Sequence, residues 1–294
     1  MEKAVYHLPG LFEFYDFYRK FLPIYREKTE YFYDWCQIGS LYGAPADCLW
    51  AGGRVSTGNA DPRQVLALTE EYGLSARLTF SNSLLCSEHL KDPKCNRLCA
   101  LFGAEPGNGV IVHSELLLDY LKEKYPNFYF VSSTTKVLTD FEDLAAETER
   151  PDFRYVVPDF RLNKAFDRLA GLKEKRKVEF LCNECCWPGC RERKECYENV
   201  SRKNLGERCP DHICAAPEGE KGYRFSAAMK NPAFIGIRDI RETYLPMGFS
   251  QFKIEGRGLG SAMLLEFILY YLTKPEYQLP LREEIYLDSM LDLF

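Results

Sequence analysis

The chain has 294 residues and a formal net charge of −5. This length can bury a large hydrophobic core without disulfide support, and the acidic balance gives no whole-chain electrostatic case for binding nucleic acid. The first ten residues lack the apolar core of a secretory signal, and the longest apolar run, at 262–272, is too short to span a bilayer. We therefore expect a cytoplasmic protein without a membrane span, whose thiols stay reduced.

Short runs rich in β-branched and aromatic residues alternate with helical patterns along the chain. The predicted strands are 4–8, 47–51, 76–80, 109–113, 128–131, 154–157, 178–182 and 251–254. The predicted helices are 61–73, with Pro62 at its first position, 115–125, capped by Ser114, and then 141–149, 163–172, 237–245 and 261–272.

This alternation is typical of a parallel α/β sheet. The count of eight strands favours one TIM-like (β/α)8 barrel domain over residues 1–294, and an open doubly wound sheet is the alternative. Catalytic groups of such barrels lie at the carboxyl ends of the strands. Cys182 ends the seventh predicted strand and 255–257 follow the eighth, so we expect both to open onto one face.

Seven of the twelve cysteines lie within the 33 residues of 182–214. They belong to a predicted cysteine-rich insertion, 183–250, between the last two strands. The stretch is rich in Arg, Lys and Glu and poor in aliphatic residues, so its thiols have little core to fill. Thiolates are soft ligands that suit zinc or an iron–sulfur cluster, and His212 offers a further ligand. The spacing predicts a metal site and leaves both metals open.

A second, smaller group of cysteines precedes the predicted fourth strand. Cys95 and Cys99 would share one face of a helix, and Cys86 and His89 lie near them in sequence. These residues form either a second metal site or ordinary helix packing. The remaining two, Cys36 and Cys48, are expected to be buried as small hydrophobic residues.

Residues 248–257 read GFSQFKIEGR, in which strand alternation places Lys253 and Glu255 on one face. This stretch resembles the signature of the collagenase-like U32 peptidase family, where a strand reading roughly S-L-K-I-E-G-R precedes a helix. The cysteine motifs EFLC, WPGC and GERCPDHIC keep the order and approximate spacing of that family's motifs. Weaker matches, ADCLWAGGR at 46–54 and FRYVVPDFRLN at 153–163, extend the resemblance over most of the chain.

The resemblance implies a barrel that carries an iron–sulfur cluster, expected to be of the 4Fe–4S type. Its implied ligands are Cys182, Cys190, Cys209 and one of Cys185 or Cys186, of which we take Cys186. The family often has another cysteine at the position of Ile235, so the fourth ligand must come from elsewhere in this chain. Cys196 and Cys214 are the further alternatives for it. Zinc is the alternative metal.

The family's better-understood members are similar to oxygen-independent hydroxylases that act on ubiquinone precursors, as paired subunits, or on RNA bases. The resemblance thus implies a redox enzyme with a small-molecule or RNA-base substrate and a partner subunit of the same family. Lys253, Glu255 and Arg257 are its candidate catalytic residues, with Glu255 as acid/base and Arg257 gripping a carboxylate. A structural salt-bridge network is the simpler alternative for these three.

Two other functions are kept open. One is a zinc-stapled protein that binds or hydrolyses a peptide, and the other is a non-catalytic partner subunit. The chain has four histidines, and no HExxH motif or recognisable Ser/His/Asp set occurs. His113 ends the fourth predicted strand and either faces the barrel mouth or forms a buried hydrogen bond.

Overall fold

Eight parallel strands form the centre of the molecule in a computed structural model that describes residues 2–53, 58–217, 219, 225–256 and 258–287. The sheet has the order β6-β5-β4-β3-β2-β1-β8-β7, and a parallel bridge between Val156 and Val178 brings its two edges together. The protein is therefore a (β/α)8 barrel, as predicted. Its strands are β1 (Ala4–Pro9), β2 (Cys36–Gly43), β3 (Ser75–Phe80), β4 (Gly109–Val112), β5 (Tyr129–Ser132), β6 (Phe153–Val156), β7 (Glu179–Leu181) and β8 (Gln251–Lys253).

Helices follow most of the strands and pack around the barrel. Two of the expected caps are present, since the side chain of Asp61 accepts a hydrogen bond from the N–H of Arg63 and that of Ser114 from the N–H of Leu117. No helix among the described residues has the length and apolar character needed to cross a membrane. The helices are α1 (Tyr15–Glu27), α2 (Pro62–Glu71), α3 (Pro93–Phe102), α4 (Glu115–Lys124), α5 (Phe141–Glu149), α6 (Phe166–Leu169), α7 (Arg193–Asn204), α8 (Phe225–Ala228), α9 (Ile237–Asp239), α10 (Ser261–Tyr271) and α11 (Gln278–Arg282).

The second strand lies elsewhere than predicted. It is formed by CQIGSLYG at Cys36–Gly43, and 47–51 is instead a turn-rich loop in which Ala51 donates its N–H to the carbonyl of Cys48. Two glycines interrupt the apolar pattern of the true strand. Gly39 is required there, because a Cβ atom would lie 2.4 Å from Cγ1 of Val5 on β1.

The segment between β7 and β8 contains more helix than its sequence indicates. α7 has twelve residues, RKECYENVSRKN, and lacks an apolar stripe. The predicted helix 163–172 is in turn reduced to the short α6, which follows a 3-10 turn at Phe160–Leu162.

The interior divides into two layers on either side of the strands. A large apolar cluster fills the space between the strands and the helices. Within the barrel a small apolar cluster of Tyr42, Ile111, Val131 and Val157 lies beside charged and polar side chains. The polar part of this inner layer leads to the barrel mouth.

Candidate functional site

A pocket of about 370 Å³ opens at the carboxyl ends of the strands. Its walls come from the last residues of five strands and from the loops that follow them, which is where catalytic sites of this fold lie. The lining residues include Tyr42, Thr79, Ser81, Ile111, Ser133, Thr135, Leu181, Cys185, Tyr197, Lys253, Glu255 and Leu259. Two of the three predicted catalytic residues, Lys253 and Glu255, therefore share one cavity, and Arg257 lies outside the described residues.

Lys253 brings a positive charge to the floor of this pocket. Its Nζ lies 3.4 Å from Oε1 of Glu179 and 3.7 Å from the ring centroid of Tyr42. The hydroxyl of Tyr42 donates to the carbonyl of Ile254 at 2.6 Å, which holds the ring in place. The ammonium group is thus positioned by a carboxylate and an aromatic face.

Glu179 is the centre of an ion network inside the barrel. Its Oε2 lies 2.5 Å from Nη1 of Arg77 and 3.5 Å from Nε2 of His7, and all three side chains are almost fully buried. Burial alone would raise the pKa of Glu179, but the positive charges of Arg77 and Lys253, together with the neighbouring ring of His7, lower it to about 2. The carboxylate is therefore ionised at neutral pH.

His7 contributes hydrogen bonds to this network rather than charge. Burial, followed by the charge of Arg77, lowers the pKa of His7 to about 3. Its ring nitrogens contact Oγ of Ser40 at 2.8 Å and Oε1 of Gln251 at 3.1 Å. The neutral imidazole therefore links β1 to both of its neighbouring strands.

Glu255 is held at the rim by the loop that follows β7. Asn183 accepts a hydrogen bond from the N–H of Glu255 at 2.7 Å and donates its amide to the carbonyl of the same residue at 2.9 Å. This pairing extends the contact between β7 and β8 beyond the strands. It brings Glu184, Cys185 and Glu255 together, with one ligand atom of each within 4.8 Å of the others.

Glu184 shapes the backbone of this three-residue group. One carboxylate oxygen accepts the N–H groups of Cys185 and Cys186 at 2.9 and 3.1 Å, and the other lies 2.6 Å from Nη2 of the buried Arg193. Glu184 therefore fixes the turn that carries two thiols, and Cys185 and Glu255 are the members that line the pocket.

A row of hydroxyl groups forms the opposite wall. The Oγ atoms of Ser133 and Ser81 are 2.9 Å apart, and Oγ1 of Thr135 lies 3.0 Å from Oγ of Ser133. The row ends at Nδ1 of His113, 2.8 Å from Oγ1 of Thr135. Burial, followed by the charge of Lys136, lowers the pKa of His113 to about 4, so the imidazole is neutral at pH 7.

Cys182 lies in the apolar layer outside the barrel rather than in the pocket. Its neighbour on β7, Leu181, lines the pocket, and alternation turns Cys182 to the other side. The backbone of Cys182 accepts a hydrogen bond from the N–H of Ile235 at 3.0 Å. Ile235, which stands where the resembled family often has another cysteine, therefore lies next to Cys182, the first predicted ligand.

The other three predicted metal ligands are half-buried and lie along the segment between β7 and β8. The carbonyl of Cys186 accepts the amide of Asn231, and the carbonyl of Cys190 accepts from Arg161. Sγ of Cys209 is 3.7 Å from Nδ2 of Asn199 on α7. Ligand atoms that share a single metal ion lie within about 4.8 Å of one another. Among the described residues, no three of these four thiols are that close.

α7 separates two groups of side chains above the pocket. Tyr197 and Ser201 face the barrel, where Tyr197 lines the pocket and the carbonyl of Ser201 accepts the amide of Asn82. Glu192, just before the helix, and Asn199, on another of its faces, contact the segment of Cys209 and His212. Cys196 lies between these two positions on the helix, four residues after Glu192.

In the smaller cysteine group, Cys95 and Cys99 are both buried on α3, which agrees with the helix-packing alternative. Cys95 lies on α3 with its Sγ 3.1 Å from Sγ of Cys48, which the sequence had assigned only to core packing. Cys86 is exposed and contacts Nδ1 of His89 at 3.3 Å. The described residues therefore do not bring Cys86, Cys95 and Cys99 into one metal site.

Several residues of the site were missed from the sequence. Arg77 and Glu179 are charged residues within otherwise apolar strands, ARLTF and VEFLC, and that is a signal of an inward-facing ion pair. Asn183 and Arg193 carry no comparable signal, because their partners are set by the path of the insertion.

No protein-family model matches the sequence, and no curated protein matches it either. Three chains among the solved structures are similar. One of them is the U32 peptidase Mk0906, with a TM-score of 0.54 and 14% sequence identity, over 88% of this chain and 94% of the other. The fold of this chain is similar to that of this U32 peptidase. The resemblance read from the KIEGR and cysteine motifs is thus confirmed at the level of the fold.

Proposed function

We propose that the protein is an iron–sulfur-cluster-binding enzyme of the oxygen-independent hydroxylase type, acting on a small molecule or an RNA base in the pocket. One observation carries the proposal. The segment that holds seven cysteines begins directly after β7, and one of its thiols, Cys185, lines the same pocket as Lys253 and Glu255.

The donor set fits a thiolate-bound cluster. Six of the seven thiols in 182–214 are half-buried or exposed, so they are not packed into the core as small hydrophobic residues would be. Cys186, Cys190 and Cys209 belong to these six and are assigned as ligands, and Cys182, whose thiol lies in the apolar layer outside the barrel, is kept as the fourth because the resemblance implies it. A bound cluster would supply or accept single electrons.

The chain's own residues have separate roles in this proposal. Lys253 presents a fixed positive charge at the floor, which suits an anionic group of the substrate. Glu255 at the rim takes or gives a proton, and the hydroxyl row of Ser81, Ser133 and Thr135 orients polar groups of the substrate. Tyr197 and Leu259 add an aromatic and an apolar side chain to the pocket lining.

A second candidate is a single metal ion, such as zinc, held by Glu184, Cys185 and Glu255. The proximity of their three ligand atoms favours it, since carboxylates and thiolates both bind zinc. The structural similarity to a U32 peptidase makes peptide hydrolysis the matching activity. Against this candidate, both oxygens of Glu184 already accept hydrogen bonds or contact Arg193.

Metal analysis of four variants separates the two candidates. The protein is purified without oxygen, and iron, acid-labile sulfide and zinc are measured with the visible spectrum. About four iron and four sulfide per chain, with a band near 400 nm, are expected for the cluster. Cys209→Ser should remove the iron, whereas Glu255→Gln should keep it.

The opposite pattern supports the single ion. About one zinc per chain without sulfide, lost in Cys185→Ser and Glu255→Gln but kept in Cys209→Ser, would overturn the iron–sulfur proposal. Cys36→Ser is the control, because Cys36 lies at the start of β2, at the other end of the barrel, and should change neither metal.

A further inference from the structure

Two buried thiols from distant parts of the chain meet beside the barrel. Cys48 lies in the loop after β2 and Cys95 in the first turn of α3, and their Sγ atoms are 3.1 Å apart. Each residue is at most 1% exposed, and all twelve cysteines are free thiols in the structure. The two sulfur atoms are therefore reduced and closer than ordinary van der Waals contact allows.

The geometry places this pair near a disulfide. A disulfide needs side chains that point at each other and an S–S bond of about 2.0 Å. Here the sulfur atoms already face one another, so about 1 Å of movement closes the bond. Cys99 lies one helical turn after Cys95 and is equally buried, yet it makes no comparable sulfur contact among the described residues.

The loop that carries Cys48 continues to the pocket. Nε1 of Trp50 donates to the carbonyl of His89 at 2.7 Å, and the carbonyl of Ala51 accepts the amide of Asn204 on α7. Gly53 then lines the pocket. A covalent bond at Cys48 would therefore fasten one wall of the barrel mouth to α3.

We propose that Cys48 and Cys95 form a redox-active pair that closes into a disulfide on reaction with a small disulfide such as oxidised glutathione. Because both thiols are buried, the oxidant reaches them only when the loop that carries Cys48 opens; one thiolate then attacks the oxidant and releases one reduced glutathione. The second thiolate then attacks the mixed disulfide and releases another. The two cysteines lose two electrons in total, and their two protons end on the two glutathione thiols. This inference is independent of any metal bound by 182–214.

The test maps the linked cysteines in the folded full chain. The protein is exposed to oxidised glutathione, free thiols are blocked by alkylation, and tryptic peptides are analysed by mass spectrometry. Trypsin places Cys95 on 95–97 and Cys99 on 98–122. Cys48 lies on 29–54 together with Cys36, so a Cys36→Ser background removes that ambiguity.

We expect the Cys48–Cys95 link to exceed the Cys48–Cys99 link by about tenfold or more, because only the first pair is aligned. The link should persist in Cys99→Ser and disappear in Cys95→Ser, with both variants checked for native circular dichroism. Equal amounts of the two links, or a Cys48–Cys95 link that forms only in urea, would overturn the proposal. Reduction with dithiothreitol should restore both thiols.

Discussion

Glu179 is a carboxylate inside the barrel that is surrounded by the positive groups of Arg77 and Lys253 and by the ring of His7. Such a group is stable only while its charge is matched, because the low-polarity interior does not solvate an unpaired charge. The same carboxylate holds Lys253 at the floor of the pocket. Stability and the position of a candidate catalytic residue therefore depend on one side chain.

Replacing this carboxylate should destabilise the fold strongly. Glu179→Gln leaves the guanidinium of Arg77 buried without its counter-charge, and we expect the free energy of unfolding to fall by about 3–5 kcal/mol. Urea unfolding followed by circular dichroism measures the change. The control is Glu149→Gln, which removes the exposed pair with Lys173 and should leave the midpoint unchanged. Equal effects of the two substitutions would contradict the role given to Glu179.

His113 gives the fold a defined dependence on pH. Its folded pKa of about 4 lies below the value of about 6.5 in an unfolded chain, so the unfolded state binds the proton first as pH falls. The contribution is fully present above pH 6.5 and declines between pH 6.5 and 4. We expect the wild type to lose about 2 kcal/mol more between pH 7.5 and 5 than His113→Asn, which keeps a polar atom near Thr135. Identical losses in urea titrations at the two pH values would show that His113 does not titrate in this way.

At the scale of elements, α7 forms part of the pocket wall through a few polar contacts. Asn82 donates to the carbonyls of Leu49 and Ser201, each at 3.2 Å, and is fully buried. These bonds tie the loop after β3 both to the Cys48 loop and to α7. Because α7 has no apolar stripe, its attachment depends more on such hydrogen bonds than that of the other helices.

Removing the amide of Asn82 should loosen α7. Asn82→Ala removes the amide donor from the carbonyls of Leu49 and Ser201, of which, among the described residues, only Ser201 keeps a second donor, the N–H of Leu205, so we expect a cost of about 1–3 kcal/mol. We expect faster hydrogen exchange in peptides covering 193–204, measured by mass spectrometry, while α4 keeps its protection. Asn127→Ala is the matched control, because its amide bonds carbonyls at the surface, far from α7. Unchanged exchange in α7 would mean that other contacts hold it.

The elements that the sequence predicts well are those whose local pattern and final contacts agree. β4 is a short apolar run, β3 and β8 combine apolar residues with polar ones that face inward, and α2 and α4 have both stripes and caps. β2 was missed because Gly39 within it is demanded by Val5 on another strand, and α7 because its partners are polar. At the site, the KIEGR motif placed Lys253 and Glu255, whereas Asn183 reaches its partner across 72 residues of sequence.

At the scale of the whole molecule, the contact between β6 and β7, called the seam below, is the weakly paired place where the barrel closes. Within the described residues, β6 and β7 share the single bridge of Val156 and Val178, whereas β2–β3 and β3–β4 are each paired over four residues. Fewer ladder hydrogen bonds mean a lower free energy of local opening. We therefore expect amides of 153–157 and 178–181 to exchange faster than those of 75–80 and 109–112.

The ion network bears directly on this seam, because Arg77 on β3 reaches across the interior to Glu179 on β7. The pair supplies β7 with an attachment that does not depend on its edge. Glu179→Gln should therefore speed exchange at 153–157 and 178–181 more than at 109–112, beyond the uniform rise that a global loss of stability produces. Val110→Ala, a cavity in the well-paired β4, is the control for that uniform rise. If both variants raise exchange evenly around the barrel, the seam is held by its backbone and outer packing rather than by the charge pair inside.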